Sequence, residues 1–300
     1  MAAPSPSRRA FPGGILVSHV AIVTDSASDF APERAAELGI TVVPLAVSFG
    51  EESFKAGVDL SSEQFWARMT AADAPFPKTA ASSPGDFQAA YQQCFDAGAD
   101  AIVSIHVAGT LSGTIKSAEV ARGMLPDREI QIVDSTSASM GEGLLAELGV
   151  DLAARGVSAA EIARILTERT ADLNVYVALD TLEYLKRGGR ISSTQAAIGT
   201  LLSFKPIITI KDGRVEAAER VRTRAKARER VIELLAERPV ERLAILYAPP
   251  SEPEAFRDEV IARLAGGIDP ATVTLEIIGP SIGPHLGPGC IGGVVLYRRS

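Results

Sequence analysis

The sequence predicts an α/β protein of two domains, the first on a mainly parallel sheet and the second on a mixed sheet with helices. Three observations carry this. Short Val- and Ile-rich runs, apolar on both faces, alternate with amphipathic stretches, which is how parallel strands covered by helices read. Two helical segments without an intervening strand interrupt the alternation near residues 150–170, and it then restarts. The second half also holds Asp212-Gly213 between two strand-like runs, a hairpin signal that brings an antiparallel pair into the second sheet.

The elements follow in order. Residues 20–23 form a strand that ends in the turn-forming cluster Thr24-Asp25-Ser26, and residues 32–38 form a short helix with Pro at its start. Residues 41–49 read as one second strand. Ser61 and Gln64 have capping-box spacing at the head of a helix through residue 69. Ser83-Pro84-Gly85-Asp86 opens a helix to residue 97. Strands over 101–107 and 130–133 flank a helix over 111–123. Helices over 140–155 and 158–169 close the first half. The second half offers strands at 175–179, 205–210, 214–221, 243–247, 272–278 and 292–297. Its helices are expected at 181–187, 194–202, 223–238 and 252–264, the first of them stopped by Gly188-Gly189. The domains are placed at 15–155 and 156–300, after a disordered extension over residues 1–14.

Composition bounds the function. The chain has 300 residues, 46% hydrophobic and 22% charged, a balance with ample core. Its net charge of −7 gives no support to a nucleic-acid surface. Cys94 and Cys290 lie far apart with no CxxC motif, so both read as buried thiols in a reducing compartment. No His or Cys cluster has metal-ligand spacing, and no metal or cofactor is expected. Arg8-Arg9 and the apolar residues after them superficially suggest an export signal, but Pro12, Gly13 and Gly14 break it. The reading is cytoplasmic. No apolar run approaches the ~18 residues of a membrane span.

In open parallel sheets the ligand crevice lies at the carboxyl ends of the strands. Hydroxyls gather there: Thr24-Asp25-Ser26, Gly109-Thr110-Leu111-Ser112-Gly113-Thr114, and Asp134-Ser135-Thr136-Ser137. Two further loops are polar or sharply constrained, Lys78-Thr79-Ala80-Ala81-Ser82-Ser83 and the Gly- and Pro-rich stretch around His285. Small hydroxyls and free amides at helix starts suit an anion. The plainer reading is that each hydroxyl is only a helix cap. Gly109 to Gly113 is not a nucleophile elbow, because its serine sits one residue too late. The first turn has no GxGxxG and no Walker lysine. His106, inside an apolar strand, reads as a hydrogen-bonded core histidine. Lys186 to Arg190 reads as a helix C-terminus with cations on the dipole, which leaves Arg190 unexplained. The basic run Arg220 to Arg228 reads as a solvated face or a docking patch.

Taken together, Ile22-Val-Thr-Asp-Ser26, Gly57-Val-Asp-Leu60, Ser83-Pro-Gly-Asp-Phe87, Leu111-Ser-Gly-Thr114, Asp180-Thr-Leu-Glu183, Leu185-Lys-Arg-Gly-Gly-Arg-Ile191 and Gly283 to Gly289 resemble the DegV family. They run in family order from about residue 20 to the C-terminus. The resemblance is to the fatty-acid-binding subunit of bacterial fatty acid kinase. It implies a long-chain fatty acid in or between the two domains, with its carboxylate held by Thr79, Ser112 and His285. Gly113, Thr114, Asp25 and Ser26 would lie near the head group. It also implies a separate ATP-binding kinase subunit that phosphorylates the carboxylate, giving an acyl phosphate for phospholipid synthesis. Arg190 and Arg222 are the candidates for docking that subunit. No catalysis by this chain alone and at most transient membrane contact are expected. Family members often carry serines where this chain has Ala108 and Gly109. The competing enzyme reading is an autonomous acyl hydrolase or transferase using Ser112 with His285. A transcriptional or signalling module is a third reading, disfavoured by the acidic balance.

Overall fold

The computed structural model describes residues 19–191 and 204–299. The expectations for residues 1–14 and for a helix over 194–202 lie outside these. The first sheet is parallel and has four strands, β1 (Val20–Asp25), β2 (Ile40–Val43), β6 (Ala101–His106) and β7 (Glu129–Asp134), in the order β2-β1-β6-β7. A small antiparallel sheet holds β3 (Ala46–Phe49), β4 (Glu52–Lys55) and β5 (Lys78–Ala80), in the order β4-β3-β5. The third sheet is mixed and has six strands: β8 (Leu173–Ala178), β9 (Lys205–Lys211), β10 (Arg214–Val221), β11 (Val240–Tyr247), β12 (Thr274–Ile277) and β13 (Ile291–Tyr297). Its order is β10-β9-β8-β13-β11-β12, so the last strand of the chain sits inside the sheet.

The helices are α1 (Pro32–Leu38), α2 (Ser62–Met69), α3 (Pro84–Asp96), α4 (Thr114–Gly123), α5 (Met140–Ala154), α6 (Ala159–Arg169), α7 (Glu183–Arg187), α8 (Arg224–Leu235), α9 (Pro253–Arg263) and the single turn α10 (Gly283–Leu286). The capping box expected at Ser61 is present, and the helix expected at Ser83 starts with a second one. Ser61 with Gln64 and Ser83 with Asp86 form reciprocal capping boxes. Helix α5 is buried nearly all round, because it packs on β1 and β6 on one side and on β8, β11 and β13 on the other. Helices α3 and α4 cover β6 from outside, and α8 and α9 cover the far face of the mixed sheet. Helix α6, which the sequence reading grouped with the second domain, packs on β6 and β7 of the first sheet.

One expected strand is two. Residues 41–49 split at Pro44 into β2 of the parallel sheet and β3 of the small sheet. Proline has no N–H to continue a ladder. The break is held from both sides: Ser82 donates its hydroxyl to the Pro44 carbonyl at 2.8 Å, and the Leu45 N–H donates to Ser26 Oγ at 2.8 Å. Strands β4 and β5 were not expected. Both are short, and β4 is largely exposed, so neither has the apolar run that marks a buried strand. The Asp212-Gly213 hairpin forms as expected, with Asp212 at φ 48° and Gly213 at φ 73°. Both cysteines are buried and free.

Candidate functional site

The loops at the strand ends of the first sheet face the inner side of the mixed sheet across a narrow apolar cavity. Val215 of β10, Ile208 of β9, Val177 of β8 and Leu246 of β11 supply one wall. Strands β10 and β11 are four strand intervals apart, so the wall runs about 19 Å at ~4.8 Å per strand. Ile208 pairs with Val177, Val177 with Gly292, and Gly292 with Leu246, a cross-sheet row whose third member has no side chain. Ala27, Leu45, Val107 and Ala138 supply the opposite wall.

The polar groups of the lining are Thr79, Ser112, Arg190 and His285, together with Ser139 and Ser281. The last two are already engaged. Ser139 donates to Asp29 Oδ2 at 2.6 Å, and Ser281 shares a hydrogen bond with Ser26 at 2.8 Å. Thr79 sits on β5, paired with Val47, and its Oγ1 lies 3.1 Å from His285 Nε2. Ser112 stands just before Gly113, the N-cap of α4, and its Oγ accepts from Thr114 N at 3.3 Å, so the positive end of α4 adjoins the Ser112 hydroxyl. Ser112 Oγ also shares a 2.8 Å hydrogen bond with Thr114. Arg190 donates through Nε to the Leu111 carbonyl at 3.3 Å and through Nη1 to the Gly188 carbonyl at 2.5 Å. Among the described residues it is the one charged side chain lining this cavity, and it has no ion-pair partner among them. Burial lowers its pKa. Burial, and then the Arg190 charge, push His285 down to about 4, so its imidazole is neutral at pH 7.

Four residues singled out from the sequence thus meet in one cavity wall: Thr79, Ser112, His285 and Arg190. Arg190 joins the pocket itself, a placement that its position after a helix did not announce. Gly113 and Thr114 stand behind Ser112 and do not line the cavity. Arg222 is exposed on the turn between β10 and α8, away from the lining. Asp25 and Ser26 serve the scaffold. Asp25 accepts from Ala27 N through Oδ1, and its Oδ2 meets His106 Nδ1 at 3.1 Å and Val107 N at 3.3 Å. His106 is fully buried and also bonds Ser104 at 2.8 Å, the paired core histidine its strand suggested. Glu142 of α5 joins them, with Oε1 accepting from Thr24 Oγ1 at 2.5 Å and from Asp25 N. Asp25, His106 and Glu142 come within 4.8 Å of one another. No spacing rule finds such a trio, because 117 positions separate Asp25 from Glu142. Burial, and then the Asp25 charge, raise the Glu142 pKa well above the carboxylate range.

Gly109, at the head of the loop that carries Ser112, has a local reason to be glycine. A Cβ at Gly109 would meet Asp134 Oδ2 and Ile115 at 3.1 Å. Thr110 donates its hydroxyl to the Gly213 carbonyl, tying this loop to the β9–β10 hairpin. Ser112 and His285 share no hydrogen bond, and among the described residues no carboxylate bonds His285. The Ser–His–carboxylate relay of the hydrolase reading is therefore not assembled.

Such a fold and site define an α/β protein with an apolar cavity between its two larger sheets, lined also by hydroxyls, an imidazole and a guanidinium. The chain belongs to the DegV family: the family model, described as an uncharacterised protein family, matches residues 19–298. A DegV domain-containing protein of Streptomyces coelicolor is 36% identical over 285 residues, 93% of this chain and 99% of that protein. A DegV family structure from Thermus thermophilus, described as fatty acid binding, superposes with a TM-score of 0.84 at 34% identity, covering 93% of this chain and 100% of the other. A stearic acid-binding protein from Eubacterium ventriosum superposes with a TM-score of 0.82 at 28% identity, covering 92% and 97%. Among the described residues no helix is long and apolar enough to cross a membrane.

Proposed function

We propose that this protein binds a long-chain fatty acid in the cavity between its two larger sheets and holds the carboxylate at Thr79, Ser112, His285 and Arg190. The observation that carries the reading is the polarity of the cavity: a long apolar wall, with Thr79 beside His285 and Ser112 beside the Arg190 loop contact. Burying ~14 methylenes at ~0.8 kcal/mol each supplies roughly 11 kcal/mol gross. Desolvating a carboxylate costs several kcal/mol unless it is paired and hydrogen-bonded. Two hydroxyls, one of them at the positive end of α4, and a guanidinium without an ion-pair partner among the described residues offset that cost. The fatty acids named for the similar Thermus thermophilus and Eubacterium ventriosum proteins support the same reading.

The protein performs no chemistry on the acid alone. The missing relay at His285 favours holding over hydrolysis. In line with the family resemblance, the bound carboxylate is presented to a separate ATP-binding kinase subunit, which returns an acyl phosphate for phospholipid synthesis, and Arg190 and Arg222 face that partner. The test is mass spectrometry of the purified, denatured protein. A co-purifying C14–C18 fatty acid is expected. An empty protein that cleaves acyl esters unaided would overturn the proposal.

A further inference from the structure

The stop signal Gly188-Gly189 contains two glycines with different reasons to be glycine. Gly189 has φ 70°, and the hydrogen bonds Gly189 N to Lys186 O and Arg190 N to Leu185 O complete a Schellman cap. Gly188 has φ −74° and ψ −11°, a conformation open to any residue. Its backbone does not require glycine; its neighbour does. A Cβ at Gly188 would stand 2.2 Å from His285 Nδ1 and 2.9 Å from Cε1.

We propose that Gly188 is a positioning residue of the head-group site: its bare Cα seats the His285 imidazole against Thr79, while its carbonyl turns Arg190 toward the same wall. The inference rests on the carboxylate-holding reading above. His285 has little room to yield, because its one-turn helix is held on both sides. A Cβ at Gly283 would fall 2.3 Å from the Phe65 ring, and one at Gly287 would fall 2.3 Å from Tyr184. The seat has a chemical consequence. Thr79 has one proton to give. If Nε2 accepts that proton, Thr79 has none left for a carboxylate. If Nε2 carries hydrogen and donates to Thr79 Oγ1, the threonine proton is free for the ligand. The second arrangement leaves Nδ1 as a bare lone pair, and among the described residues Nδ1 is the buried ring nitrogen without a partner. A buried unpaired acceptor is tolerated better than a buried unpaired N–H. Gly188 therefore seats His285 as the Nε2–H tautomer, which turns Thr79 into a donor.

The test compares Gly188→Ala, His285→Ala and the double variant. Stearate affinity is measured by displacement of a fluorescent fatty acid, alongside thermal midpoints and the ring ¹⁵N shifts of His285. Wild type should show the neutral Nε2–H pattern. Gly188→Ala should disturb that pattern and weaken stearate binding about tenfold, the loss of one buried hydrogen bond to a charged group. With the ring removed, a Cβ has room, so Gly188→Ala in the His285→Ala background should change affinity and midpoint little. Should Gly188→Ala alone fail to fold, the double variant should fold. An equal cost in both backgrounds, failure of both to fold, or an unaltered tautomer and affinity in Gly188→Ala would overturn the proposal. If wild type bound no fatty acid, the carboxylate reading would fall, while the ¹⁵N pattern and the double-variant midpoint would still judge the seat.

Discussion

Thr79 Oγ1 and His285 Nε2 lie 3.1 Å apart, although 206 positions separate them in the chain. One stands on the short strand β5 of the small sheet, the other on a single helical turn beside α7. The contact joins two distant elements on the cavity lining and pairs two of the proposed head-group residues.

If the carboxylate is held there, Thr79→Val and Ser112→Ala should each weaken stearate binding about tenfold, the effect of one hydrogen bond to a charged group. Thr79→Val also strands His285 Nε2, and Ser112→Ala strands the Thr114 hydroxyl and amide, so each should cost ~1–3 kcal/mol of stability and lower the thermal midpoint without unfolding the chain. Displacement titration reads the first effect and calorimetry the second. Unchanged affinity in both variants would remove these hydroxyls from the site.

Leu246 lies on β11, four strand intervals from Val215. Leu246→Phe should fill part of the tail wall. In a close-packed core such a change costs ~1–3 kcal/mol, and beside an existing cavity it should cost less. The expectation is a clear loss of stearate affinity with a smaller loss for a twelve-carbon acid. Equal losses for both chain lengths would argue that the tail does not reach this strand.

Asp29 gives a pH signature. Burial raises its pKa to about 7, against hydrogen bonds from Ser139 and Gly279 N. The native state keeps this proton at pH values where the unfolded chain, near 3.9, has lost it, so stability falls as pH rises from about 4 through 7. Glu276, also raised to about 7 by burial, acts in the same direction. His285, lowered to about 4, acts oppositely: its contribution is lost as pH falls from about 6.5 toward 4. Asp29→Asn keeps an acceptor for Gly279 N and offers its amide N–H to the Ser139 oxygen, as the protonated carboxyl does. It should raise the thermal midpoint at pH 8 relative to wild type and change it little at pH 5. Parallel pH profiles for the two proteins would refute this account.

Glu142 is fully buried beside Asp25, with its pKa well raised. A neutral carboxyl is mimicked by an amide. Glu142→Gln should therefore stay within ~1 kcal/mol of wild type, whereas Glu142→Ala should lose ~2 kcal/mol or more by leaving the Thr24 hydroxyl and the Asp25 amide unpaired in the core. Urea unfolding of the two variants decides it.

Arg190 and Arg222 should separate. Arg190→Gln removes the charge from the cavity wall and should weaken fatty acid binding as well as transfer by a kinase subunit. Arg222→Ala, on the surface, should leave fatty acid affinity intact and slow only the kinase-coupled rate. Binding assays in parallel with acyl phosphate formation check both. A normal rate for Arg222→Ala would remove it from the docking surface.

The legible parts of the sequence were those governed by neighbours within a turn or a strand. The capping boxes at Ser61 and Ser83, the Asp212-Gly213 hairpin and the Val- and Ile-rich strands have local causes, so they were readable residue by residue. Strands β4 and β5 were not legible, because their pairing with β3 rather than their own hydrophobicity makes them strands. The split at Pro44 carried a signal in the proline, but an apolar run continuing on either side masked it.

The sequence by itself determined the α/β class, the order of most elements and the presence of hydroxyl-bearing loops after its strands. These follow from periodicity and backbone chemistry, which act over a few residues. Only the tertiary structure decided that Thr79, Ser112, His285 and Arg190 share one cavity wall, that Asp25 is spent on His106 and its neighbouring amides, and that Gly188 lies against an imidazole. Each of these depends on how two sheets and the helix α5 between them pack, and close packing is a property of the assembled core that no short stretch of chain encodes.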